Sequence, residues 1–285
     1  MDQDIIDLYD QFTHSDMPRR EFLSRLAKLA GGAAAATTLL PLLENNYAHA
    51  RVVSADDPRL QEEYVEFPGP RGPVRAYLAT PTGSATSPGV VVIHENRGLN
   101  PHIEDVARRA AAAGFLAVAP DALSPLGGTP DDTDRARTMM GQLNGEQTRE
   151  NFMAAVSYAK SHPRSTGRVG CVGFCWGGAM ANQLAVHSAD LNAAVAFYGR
   201  QPAAEDVAKI KASLLLHYAG LDQRINAGIE AYEAALRDAG VDYEVHMYEG
   251  VNHAFHNDTS PTRYDEASAA LAWERTLAFF DDKLR

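Results

Sequence analysis

The stretch VGFCWGGAM, Val172–Met180, sets Cys175 between Gly173 and Gly177 in the spacing G-x-C-x-G. Glycines on both sides permit a sharp strand-to-helix turn that presents the middle side chain at the mouth of a pocket. A helix beginning near Trp176 would aim its N-terminus at the sulfur and favour the thiolate, the nucleophilic form. A small buried cysteine beside a glycine-rich turn fits the same pentad, so the pentad alone leaves the choice open. Two later residues weight it. Asp222 in AGLDQRI and His253 in VNHAFHND each follow an apolar run. Singly, a loop aspartate or loop histidine is ordinary polar surface. Together the three types perform acyl transfer: a thiolate attacks a carbonyl carbon, imidazole shuttles the proton, and a carboxylate fixes the imidazole tautomer.

A fourth strand end supplies Glu95 in HENRGLN. It reads either as a surface or helix-entry carboxylate or as a group directed at the sulfur. The loop at this position and the residue after the nucleophile usually provide the two oxyanion-hole donors, here the backbone N–H groups of Asn96 and Trp176. Trp176, Tyr198 and Phe255 are aromatic candidates for the pocket wall, and each could equally be structural. His94, His102, His253 and His256 match no usual metal-ligand spacing, so no metal site is expected.

These residues need a scaffold that places strand ends together. EEYVEF and VRAYLA read as an antiparallel edge pair. GVVVIHE, FLAVAP, GRVGCVGF, LNAAVAFYG, ASLLLHYAG and YEVHMYEG read as strands, several of them apolar throughout, as strands buried on both faces are. Helical text lies between them, including PHIEDVARRAAAAG, which ends at Gly114, and a closing helix in SPTRYDEASAALAWERTLAFFDDKLR. This alternation predicts a mostly parallel central sheet with helices on both faces, in one domain over 51–285. In such sheets ligands bind beyond the carboxyl ends of the strands.

Residues 1–50 are different text. An acidic start precedes Arg19-Arg20 and Phe22-Leu23, a mild Ala- and Leu-rich run extends to Leu43, and Ala48-His49-Ala50 offers small residues for cleavage. The pattern resembles a twin-arginine export signal, which implies the twin-arginine machinery as a partner and a periplasmic or otherwise exported protein. The alternative is a helical extension retained on a cytoplasmic protein, favoured by the long acidic start and by Lys28. The uninterrupted apolar stretch from Leu29 to Leu43 is shorter than the roughly 20 residues of a membrane span. The net charge of −11 argues against a nucleic-acid partner. Losing residues 1–50 removes seven acids and four bases and leaves −8. Cys171 and Cys175, the only cysteines, lie four apart on a strand running into a turn, a poor geometry for a disulfide.

From about Glu62 onward the chain resembles the dienelactone hydrolase (carboxymethylenebutenolidase) family, through VVVIHENRGLNPHIEDVARRAAAAGFLAVAPD, GFCWGG, AFYGRQ, the Asp222 loop and GVNHAFHND. The resemblance implies an α/β-hydrolase fold without a large lid, a Cys-Asp-His triad at Cys175, Asp222 and His253, and a thioacyl-enzyme. It also implies a carboxylate, Glu95, that interacts with the nucleophilic cysteine. It implies a small ester or lactone substrate and no cofactor. The dienelactone-cleaving enzymes hold a substrate carboxylate with two arginines. Here the first loop reads APDALSPLGG, without arginine, and the second position is Asn257. Loss of a bidentate pair would cost substrate binding, so dienelactone is not expected to be the physiological substrate. Arg97 or Arg200 could replace the missing charges. Two other classes compete with hydrolysis. A redox-sensing thiol would use Cys175 with Cys171 but leaves Asp222 and His253 unexplained, and a non-catalytic binding module leaves the intact triad unexplained.

Overall fold

Strands whose residues are apolar on both faces have no side to give to water, and they occupy the middle of the sheet. In the computed structural model, which describes residues 1–15, 17–47 and 52–285, eight strands form one sheet. They are β1 (Leu60–Gly69), β2 (Gly72–Pro81), β3 (Ser87–Ile93), β4 (Leu116–Pro120), β5 (Ser165–Phe174), β6 (Ala193–Phe197), β7 (Ser213–Ala219) and β8 (Tyr243–Tyr248). Their spatial order is β1-β2-β4-β3-β5-β6-β7-β8. Every residue of β3, β4 and β6 is buried, whereas β1 and β8, at the two edges, carry exposed residues. β1 and β2 form an antiparallel hairpin, and β2 is also antiparallel to β4. All other pairings are parallel.

Ten helices are present among the described residues: α1 (Gln3–His14), α2 (Arg19–Leu29), α3 (Ala33–Leu43), α4 (Pro101–Ala112), α5 (Thr133–Met140), α6 (Gly145–Ser161), α7 (Trp176–His187), α8 (Gln223–Asn226), α9 (Ile229–Ala239) and α10 (Glu266–Leu284). One face of the sheet is covered by α4 and α10, through Ile103, Val106, Phe279 and Phe280. The other is covered by α6, α7 and α9, through Phe152, Val156, Leu184 and Leu236. β3 has β4 on one side and β5 on the other, so connections leave in opposite directions there. That reversal opens a crevice beyond the carboxyl ends of β3 and β5. The closing helix starts at Glu266, later than the sequence pattern predicts. Asp265 sets its start by accepting the Ser268 N–H through Oδ1 (2.8 Å).

Residues 3–43 build a third, separate core. On α1 the apolar residues Ile5, Leu8, Tyr9 and Phe12 recur at helical spacing and are buried. They meet Phe22 and Leu26 of α2 and Leu43 of α3. The rings of Phe12 and Phe22 stack with centroids 4.4 Å apart. The apolar run from Leu29 to Leu43 is not one helix. Gly31 and Gly32 take φ of 80° and 145°, a conformation costly for a side chain, and the chain turns by 113° between α2 and α3. No single helix among the described residues is long and apolar enough to cross a membrane. The Ala48–Ala50 cleavage pattern lies outside the described residues.

This helical unit sits on the carboxyl-end side of the sheet. Asn96 Nδ2 donates to Thr13 O (2.8 Å), Arg137 Nη1 to Phe12 O (3.0 Å), and Gln3 Nε2 to Asn252 Oδ1 (2.6 Å). Arg224 pairs with Asp10 (3.4 Å), and the Asn46 N–H reaches Thr259 O (2.7 Å).

Candidate active site

β5 ends at Phe174 and α7 begins at Trp176, so Cys175 alone makes the turn. Its backbone is held at φ 55° and ψ −112°, a region that costs a non-glycine residue about 1–3 kcal/mol. The surroundings enforce it. A Cβ on Gly173 would lie 1.9 Å from the Gly177 carbonyl oxygen, and one on Gly177 would lie 2.3 Å from that of Ile93. Only glycine at both positions lets β5, α7 and β3 approach so closely. The Cys175 N–H is anchored on Phe197 O (3.0 Å).

Asp222 follows β7 and caps α8. Its Oδ1 accepts the Ile225 N–H (3.2 Å), which leaves Oδ2 free to accept the Nδ1 proton of His253 at 2.5 Å. His253 follows β8 and is nearly enclosed. Tyr198 lies against one side of its ring, centroids 4.9 Å apart. His253 Nε2 is buried and has no hydrogen-bond partner among the described residues. One ring nitrogen of His253 and one of His14 lie within 4.8 Å of Cys175 Sγ and of each other. Three strand ends thus bring Cys175, Asp222 and His253 together.

The other expected residues divide. Glu95 is buried beyond β3 and shares a small cleft with Cys175 and His253. Its Oε2 accepts from Asn257 Nδ2 (2.7 Å). Asn257, at the position where the resemblance implied an arginine, is therefore committed inside the protein. Asn96 and Trp176 both line the main cavity beside Cys175. Trp176 is the first residue of α7, so its N–H has no acceptor within the helix. Its ring stacks on His94, centroids 5.3 Å apart. Tyr198 and Arg200 also line this cavity, and Arg200 is exposed there.

One expectation needs correction. Phe255 is no pocket wall; it is fully buried among the rings of Phe197, Tyr198 and Tyr248. Arg97 lines the small cleft with Glu95, Cys175 and His253 but not the main cavity. It is buried behind α1, where Nη2 donates to the Tyr9 hydroxyl (3.2 Å) and Nη1 lies 3.8 Å from Asp134. An aromatic or a cation one strand end from Cys175 is drawn into packing or into the α1 contact as readily as into the pocket. Cys171 is sealed inside β5, where burial pushes its thiol up, and both thiols are free. His94 and His102 each have their own partners: the Ala122 N–H donates to His94 Nε2 (3.1 Å), and His102 pairs with Asp258 (2.8 Å).

The cavity has a volume of about 1110 Å³. Its inner wall is Cys175, Trp176, Tyr198 and His253, and its outer wall is Thr13, His14, Met17 and Arg19. His14 reaches furthest in, its Nε2 standing 3.0 Å from Cys175 Sγ. Sequence reasoning missed it because His14 follows no strand. The available signal was the i,i+4 pair Asp10 and His14 on an amphipathic helix.

A model of the dienelactone hydrolase family matches residues 74–284. The chain belongs to the dienelactone hydrolase family. Family membership makes it a hydrolase of carboxylic ester and lactone bonds. A protein of Methylorubrum extorquens named "Putative carboxymethylenebutenolidase" is 32% identical over 231 residues, 76% of this chain and 79% of that protein. Protein usf of Aquifex pyrophilus is 35% identical over 231 residues, 78% of this chain and 99% of its own length. The crystal structure of a dienelactone hydrolase-like promiscuous phosphotriesterase from metagenomic libraries superposes with a TM-score of 0.72 at 26% identity, covering 80% of this chain and all of that one. A second model, YqhI-like, matches residues 1–32, the segment that carries His14.

Proposed function

We propose that this dienelactone hydrolase family member cleaves small esters or lactones through a Cys175 thioacyl-enzyme, with His253 as base and Asp222 orienting it. The observation that carries this reading is the 2.5 Å contact from Asp222 Oδ2 to His253 Nδ1, with the buried Nε2 left unpartnered and a His253 ring nitrogen within 4.8 Å of the sulfur. A carboxylate on Nδ1 keeps the proton there and leaves Nε2 as an acceptor. The backbone N–H groups of Asn96 and Trp176 receive the carbonyl oxygen as it becomes an oxyanion. Glu95, fixed by Asn257, takes part through its charge beside the sulfur. Arg200 binds a substrate anion in place of the two arginines that the family would lead one to expect.

The experiment is hydrolysis of p-nitrophenyl acetate, neutral lactones and a carboxylate-bearing dienelactone by the full chain and two variants. Cys175→Ala is expected to abolish turnover on the whole panel; survival of turnover sinks the nucleophile. Arg200→Ala is expected to lower kcat/KM for the anionic substrate about tenfold or more while sparing neutral ones. An unchanged preference removes Arg200 from this role. Export by the twin-arginine route belongs to this proposal on the strength of Arg19-Arg20 and the apolar run that follows.

A further inference from the structure

Cys175 Sγ is grouped with two imidazoles that touch each other, and each imidazole has a carboxylate close by. His253 stands with Asp222. His14 Nε2 is 3.0 Å from the sulfur; its Nδ1 is hydrogen-bonded to the Asp10 carbonyl oxygen at 2.9 Å and lies at ion-pair distance, 3.1 Å, from Asp10 Oδ1. The two rings meet edge to face, centroids 4.7 Å apart. Asp10 is one turn before His14 on α1, so the helix itself sets this second dyad. Asn96 and Arg137 fix the end of α1 by bonding its last carbonyls, and Arg224 holds Asp10. The ring is therefore held by Asp10 on its own helix, which Asn96, Arg137 and Arg224 anchor in turn, and is not a loose side chain resting in a groove.

We propose that His14 is a second catalytic histidine, the proton partner of Cys175 and the acid of the acylation step, carried over the site by an N-terminal helix that stays on the protein. The proposal rests on Cys175 being the nucleophile. Burial opposes a charge on His14, but the Cys175 sulfur and the Asp10 carboxylate outweigh it and raise the imidazole to about 9. Burial likewise opposes the Asp10 charge, and His253, His14 and Arg224 together hold that carboxyl below the usual range. The 3.0 Å separation is that of a hydrogen-bonded pair. A nitrogen and a sulfur on one tetrahedral zinc would stand about 3.6 Å apart, from bond lengths of about 2.1 and 2.3 Å.

The proton account closes. The Cys175 proton resides on His14 Nε2. The thiolate pair forms the S–C bond as the carbonyl π pair moves to oxygen. On collapse the C–O bond breaks, and the departing alkoxide takes the His14 proton. Water then gives a proton to His253 Nε2 as its oxygen adds to the thioester. The S–C bond breaks, the carboxylic acid leaves, and the proton on His253 returns to His14 beside the restored thiolate. Two histidines thus divide work that one performs in an ordinary triad.

The test uses the full chain and a stopped-flow burst of p-nitrophenol from p-nitrophenyl acetate. His14 is the last residue of α1, where glycine is tolerated, so His14→Gly removes the ring and spares the helix. The burst is expected to slow about a hundredfold, and iodoacetamide alkylation of Cys175 at pH 6 to slow about tenfold. Added imidazole is expected to restore part of the burst, which a merely misfolded variant would not allow. Asp10→Asn, which keeps the ring, is expected to lose less and to gain nothing from imidazole. A His14→Gly burst as fast as wild type overturns the proposal. So does a faster one, which would make α1 a plug, and so does a loss that imidazole does not relieve. Cys175→Ala separates the two readings. A burst from that variant removes the nucleophile and His14's role with it, whereas a silent Cys175→Ala beside an unaffected His14→Gly removes only His14.

Discussion

At the scale of single residues, the site stores strain where the chemistry needs reach. Cys175 is held in an unfavourable backbone conformation because glycines at 173 and 177 let the neighbouring backbones close on it. Asp222 does two jobs with two oxygens, capping α8 with one and orienting His253 with the other. Asp222→Asn keeps the cap but can turn an N–H toward His253 Nδ1, which shifts the ring proton to Nε2 and removes the base. The expected result is a fall in kcat of roughly 10³–10⁴ with little change in thermal stability. A fall of less than tenfold would mean that the carboxylate does not set the tautomer.

At the scale of elements, α1 is a helix that forms part of the pocket without belonging to the sheet. Its hold depends on the small core that it shares with α2 and α3. Phe22→Ala removes the ring stacked on Phe12 and leaves a hole worth about 3–5 kcal/mol, most of it borne by the N-terminal unit. Hydrogen exchange of α1 is expected to rise steeply in that variant while β3, β5 and β6 keep their protection; equal loosening of the sheet would show that the two cores are not separable. The same contact carries a pH window. His14 titrates above its ordinary 6.5 in the folded protein, so its contribution is full below that value and is lost as pH rises through about 9. Asp10 titrates below its ordinary range, so its contribution is present above that range and lost as pH falls through it. Docking of α1 is therefore strongest between about pH 5 and about pH 6.5 and weakens from there toward about pH 9. Exchange of the α1 amides, corrected for intrinsic rate, should be faster at pH 10 than at pH 7.

At the scale of the whole molecule, two readings of one segment compete. As a signal removed after Ala50, the first fifty residues leave a body of charge −8 with no His14. As a retained cap, they form the outer wall of the cavity. The second use fits a segment with its own core, anchored by the loop residues Asn96 and Asn252 and by Arg137 of α5 and Arg224 of α8, and it is compatible with export of a folded chain. The expected outcome is that protein recovered outside the cytoplasm begins at Met1 by intact mass. A mass beginning at Arg51 with full activity would remove α1 from the working enzyme.

Much of the body was legible in the chain order because its signals are local. Fully apolar runs mark central strands, and the glycines around Cys175 mark an elbow. Polar residues placed where such runs end drew attention to Cys175, Asp222, His253 and Glu95, which the structure gathers beyond the carboxyl ends of the strands. Local signals in the chain were enough for the fold, for the chain order of Cys175, Asp222 and His253, and for asparagine rather than arginine at 257. Tertiary structure alone decided which side chains share a volume. It buried Phe255, turned Arg97 toward Tyr9, gave Asn257 to Glu95, and set His14 against a sulfur 161 residues away in sequence. Periodicity reports which face of an element is apolar, but not which other element covers it. That choice is made by long-range packing, in which the N-terminal helices and the strand ends bury surface against each other.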